Sequence, residues 1–150
     1  MVLTIGTVAR GQGTVGYGEL PLPTGLYGPI IFTMTNDFTS AFDVPNVAAA
    51  DYVKRFWMQV TMNAMSGFPQ APGEAVNPAL WPTISAPGSI TAITAVSDLG
   101  YGNPVGPWAW YVTATITPQP GQETVAFPTS WWNAYGSSIT RIDVYTTCVP

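Results

Sequence analysis

Trp108-Ala-Trp-Tyr-Val-Thr-Ala-Thr-Ile-Thr117 is the stretch whose reading decides the fold. Trp108, Trp110, Val112, Ala114 and Ile116 recur at every second position, so an extended chain turns all five to one side. Its β-branched and aromatic residues suit a pleated, half-buried surface and disfavour a helix. The stretch is therefore a strand, with a Gly/Pro-rich loop (residues 99–107) before it and the turn Pro118-Gln-Pro-Gly121 after it.

The same alternation extends outward. Ser89–Ser97 (SITAITAVS), Glu123–Phe127 and Ser137–Thr147 (SSITRIDVYTT) read as strands, as do Pro29–Thr35 (PIIFTMT) and Phe38–Val44 (FTSAFDV), with the turn residues Asn36 and Asp37 between them. Residues 46–65 read two ways. Val53, Phe56, Trp57, Val60 and Ala64 have helical spacing, yet Phe56, Met58, Val60 and Met62 alternate with Arg55, Trp57, Gln59 and Thr61. A helical turn near 47–51 followed by a strand over 52–63 fits both halves best. Residues 66–88 carry Pro69, Pro72, Pro78, Pro82 and Pro87 and read as a long loop. Seven or eight strands separated by turns predict an all-β fold, an antiparallel β-sandwich or jelly roll. Residues 29–150 would form that single domain. Residues 1–28 would form an N-terminal strand at 2–8 (VLTIGTV) and a Gly/Pro-rich extended arm held by a neighbouring subunit.

Composition restricts function. Across 150 residues the charged fraction is 8% and the hydrophobic fraction 47%, with no histidine, one cysteine and six tryptophans. Such a chain is too apolar for disorder and short of the charge that bare surfaces carry for solubility. It reads as one whose surface is covered in an assembly. The only basic residues are Arg10, Lys54, Arg55 and Arg141, too few to hold a phosphate backbone, so no direct nucleic-acid partner is expected. No run reaches the length of a membrane helix, and the start has no basic, signal-peptide-like segment, so cytoplasmic synthesis is expected. Cys148 reads as a small buried hydrophobe or a reduced thiol.

The chemical motifs fail one by one. Gly11-Gln-Gly-Thr-Val-Gly16 matches GxGxxG, but Tyr17-Gly-Glu-Leu-Pro-Leu-Pro23 cannot open the helix that such a loop needs, so no cofactor is expected. Without histidine, zinc sites and the usual nucleophile relays are excluded. Asp37, Asp43, Asn46 and Asp51 match no calcium loop, so no metal is expected. Of the carboxylates Glu19, Asp37, Asp43, Asp51, Glu74, Asp98, Glu123 and Asp143, most read as solvated acids of loops and strand ends and no pair stands out, so no catalytic residue is assigned. The tryptophans are the functional signal, because exposed Trp anchors protein interfaces and stacks on sugar rings.

In overall character (few charges, a Gly/Pro-rich arm, a β-domain behind it) the chain resembles the head decoration, or cement, proteins of tailed bacteriophages. The resemblance implies a virion structural protein on the capsid surface. It would bind the major capsid protein as a homo-oligomer, often a trimer, through apolar and aromatic interfaces. The candidate interface residues are Arg10, Tyr17, Leu20 and Leu26 in the arm and Trp57, Trp81, Trp131 and Trp132 in the domain. The alternative is a carbohydrate-binding jelly roll, free or displayed on a virion, with a glycan as partner.

Overall fold

A computed structural model describes residues 30–34, 39–46, 48–63, 75–98 and 107–150. Eight strands are present among them: β1 (Ile30–Met34), β2 (Ala41–Pro45), β3 (Val53–Met62), β4 (Thr83–Ser85), β5 (Ile90–Asp98), β6 (Trp108–Thr117), β7 (Gln122–Ala126) and β8 (Ile139–Val149). A seven-residue helix, α1 (Thr129–Tyr135), lies between the last two strands. The strands form two antiparallel sheets, a five-stranded one in the order β1-β8-β3-β6-β5 and a three-stranded one in the order β2-β7-β4. The first strand pairs with the eighth, the second with the seventh and the third with the sixth.

The core lies between the sheets. Phe56, Met58, Val60 and Met62 of β3 meet Ala114, Val112, Trp110 and Trp108 of β6 in register, and Val144 and Ile142 of β8 flank them on the other side. Phe42, Val44, Ile84 and Val125 of the smaller sheet complete the same cluster. The all-β antiparallel expectation is thus met, and Val53–Met62, within the segment that read two ways, are strand. A turn closed by the Tyr52 N–H on the Ala49 carbonyl precedes β3, not a helix.

Three features go beyond the sequence reading. The strands on either side of Asn36-Asp37 do not pair with each other; β1 and β2 go to different sheets, and residues 35–38 lie outside the described ones. The proline-rich loop contains β4 and ends in a turn, Ala86-Pro-Gly-Ser89, closed by the Ser89 N–H on the Ala86 carbonyl, with Gly88 at φ 73°. That conformation costs any side chain about 1–2 kcal/mol, so Gly88→Ala should lower stability by that amount in a denaturant melt. Finally, Thr129–Tyr135 between β7 and β8 form α1. The predicted arm, with Arg10, Tyr17, Leu20 and Leu26, lies outside the described residues.

α1 is too short to be stable alone, and its tryptophans hold it. Trp131 is buried at 1% exposure and lies 4.7 Å, ring to ring, from Phe127, while Trp132 stacks at 5.8 Å from Phe127. Trp131 is therefore a core residue and not an exposed anchor. The helix ends at Gly136, whose φ is an ordinary −56°; glycine is needed there because a Cβ would sit 2.9 Å from the Trp132 ring. Gly136→Ala should push that ring off Phe127 at a cost of about 1–3 kcal/mol, visible as weakened near-ultraviolet circular dichroism and a lower melting temperature.

Candidate functional site

Alternation along β3 turns Arg55, Trp57 and Gln59 to the outer face of the five-stranded sheet. Register then decides their neighbours. Trp57 lies between Tyr145 of β8 and Thr113 of β6, and Arg55 lies between Thr147 and Thr115. These side chains, with Thr94 of β5, line a shallow open groove of about 280 Å³ floored by Phe56 and Ala114. The Thr94 hydroxyl bonds the Thr113 carbonyl at 3.1 Å and its hydroxyl at 2.9 Å, which fixes that wall across the two strands.

Trp57 is half-buried and Tyr145 is 40% exposed, so the groove offers two aromatic bodies ringed by hydroxyls. Arg55 is exposed and, among the described residues, makes no ion pair. Arg141 and Asp143, farther along β8, neutralise each other through a bidentate pair at 2.7 and 2.8 Å. The groove therefore carries hydrogen-bonding capacity, aromatic area and one cation. Among the described residues its wall holds no carboxylate, thiol or imidazole.

Of the other sequence candidates, Trp81 packs half-buried against the core and donates its indole N–H to the Val76 carbonyl at 2.9 Å. Trp132 is likewise half-buried on α1. Neither touches the groove, so of the four candidate tryptophans Trp57 alone lines it. Tyr145 was missed, although it lies in phase with Arg141, Asp143 and Thr147, the outward positions of ITRIDVYTT.

A second polar cluster lies inside the core. Lys54 of β3 and Glu123 of β7 join the two sheets through a direct contact of Nζ with Oε1, and both side chains are fully buried. Cys148 is the register neighbour of Lys54, is also buried, and bonds Gln119. Burial pulls the Lys54 ammonium below the ordinary lysine range and pushes the Glu123 carboxyl above the ordinary carboxylate range; their mutual attraction opposes both shifts. Burial likewise raises the Cys148 thiol, which stays protonated. Glu123 is thus an exception to the reading of most carboxylates as solvated acids. Its phase with Val125 and Phe127, like that of Lys54 with Phe56, was the signal available.

Among the described residues no group of three or more His, Cys, Asp or Glu side chains could hold a metal ion, and no helix is long and apolar enough to cross a membrane. No protein-family model, curated protein or solved structure matches the chain.

Proposed function

We propose that the chain is a non-enzymatic virion structural protein, a decoration (cement) protein that docks on the head lattice of a tailed phage and stabilises it. The observation that carries this reading is the nested strand pairing, first with eighth, second with seventh, third with sixth. Nesting of that kind is what winding a long hairpin into a jelly roll produces, and viral capsid and lectin domains use that winding. β5 departs from the scheme by pairing with β6, while the Thr91 hydroxyl still reaches the Ile84 carbonyl of β4 at 2.6 Å. A fold is shared by many functions, so the low charge and the groove supply the rest of the argument. The protein would be made in the host cytoplasm and act on the capsid surface, against the major capsid protein and copies of itself.

Light scattering at low and high salt, followed by co-sedimentation with phage heads, tests this reading. Binding that survives salt is expected, because an interface with one exposed cation is hardly screened. A monomer at both salts that never sediments with heads would overturn it. Replacing Trp57 with alanine should leave cooperative unfolding intact and weaken head binding by roughly 30-fold, the cost of about 2 kcal/mol for losing one anchoring aromatic.

The groove also favours a second reading, a glycan-binding module. Two aromatic bodies among hydroxyls suit stacking on a sugar ring with hydrogen bonds around it. Quenching or enhancement of Trp57 fluorescence by an oligosaccharide, lost on Tyr145→Ala, would select that reading over head docking.

A further inference from the structure

We infer that Lys54 and Glu123 are joined in the mature protein by an amide bond between their side chains, a covalent tie between the two sheets. The inference concerns the core and is independent of what the outer face docks on.

Three observations meet at this pair. Lys54 is the sole lysine of the chain and lies fully buried, where a lysine is almost never found without a special partner. Its Nζ touches the Glu123 carboxyl across the interior, so the reacting atoms are held together by two sheets rather than by flexible surface stems. The hydrogen-bond inventory suits an amide better than an ion pair. An ammonium has three N–H donors and a carboxylate two acceptor oxygens, yet among the described residues Nζ bonds Oε1 and Oε2 is buried without a partner. An ion pair would leave the second oxygen desolvated and unsatisfied. An amide removes that oxygen altogether and keeps a single N–H.

The step balances without any co-reactant. One proton passes from the Lys54 ammonium to the Glu123 carboxylate, giving a neutral amine and a neutral acid. Nζ then attacks Cδ, the Nζ–Cδ bond forms, and the Cδ–Oε2 bond breaks. The departing hydroxyl takes a second proton from Nζ and leaves as water. Burial favours the neutral pair from which the step starts, and the neighbouring Cys148 is uncharged. Groups held in contact react as if at effective concentrations of about 10⁵–10⁸ M, and a dry core gives the reverse hydrolysis little water.

The test is the intact mass of the full-length protein, reduced and denatured. A mass lower than that of the sequence by one water is expected, together with a chymotryptic peptide that links the Lys54 and Glu123 segments and resists hydroxylamine. Lys54→Met should restore the full mass of its own sequence. Three results would overturn the inference: the full sequence mass in the wild type, loss of ammonia in place of water (which would put the bond on a Gln or Asn carboxamide), or a loss of water that persists in Lys54→Met. If that variant does not fold, the linked peptide of the wild type decides alone.

Discussion

Trp131→Ala is expected to destabilise the domain by about 3–5 kcal/mol, the range found when a large buried aromatic is truncated. Trp131 is 1% exposed and is the centre of an aromatic group, 4.7 Å from Phe127, 5.6 Å from Trp110, 6.2 Å from Tyr135 and 6.3 Å from Trp132. Removing it leaves an empty space that its neighbours cannot close, because Trp110 is fixed in β6 and Phe127, just past β7, is held by its N–H on the Ser40 carbonyl. It also frees α1, which has no side-chain cap and too few residues to persist without packing. Total stability is typically about 5–15 kcal/mol, so the loss is a large share of it. The melting temperature should fall by on the order of 10 °C, and the near-ultraviolet circular dichroism of the cluster should collapse. Trp131→Phe should recover much of the stability by keeping the stack on Phe127. A variant as stable as wild type would mean that the helix does not belong to the core.

This residue also shows where the sequence is legible and where it is not. Period-two alternation identified β3, β5, β6, β7 and β8 because each has one wet and one dry side, and that pattern survives without knowledge of its partners. It said nothing of α1. TSWWNAY is one short turn pair, too brief for a helical period to register, and adjacent tryptophans look divergent until the chain coils and brings both rings against Phe127. β4 was invisible for a different reason: three residues enclosed by Pro82 and Pro87 carry too little pattern to stand out from a loop. The groove was half legible. Trp57 shared a face with Arg55 and Gln59 in the sequence alone, but the approach of Tyr145 depends on β8 lying beside β3, a pairing between distant segments. The interior pair was concealed by a sound general rule, that charged residues face water. Lys54 and Glu123 sat in phase with core positions all along.

The largest effects belong to that pair. Lys54→Met alone should remove the covalent tie and strand the Glu123 carboxyl in the core. The stranded group costs about 3–5 kcal/mol. The tie encloses a chain separation of 69 residues, and by analogy with disulfides a closure of that length contributes about 4 kcal/mol through the unfolded state. The sum approaches the whole stability of an ordinary domain, so Lys54→Met should be barely folded at 25 °C. Lys54→Met with Glu123→Leu fills the site with apolar side chains and removes the stranded carboxyl. It should regain cooperative unfolding yet remain less stable than wild type by about 4 kcal/mol, because nothing restores the closed loop. A plain ion pair predicts the opposite sign: swapping such a pair for packed apolar residues is neutral or stabilising by about 1–4 kcal/mol. Urea melts of the wild type and the double variant therefore separate the two cases by direction and not by magnitude alone. The slope of the melt adds a second readout, since an uncrosslinked unfolded chain exposes more surface and should give a larger m-value. A double variant more stable than wild type, with an unchanged slope, would return Lys54 and Glu123 to the status of a buried salt bridge.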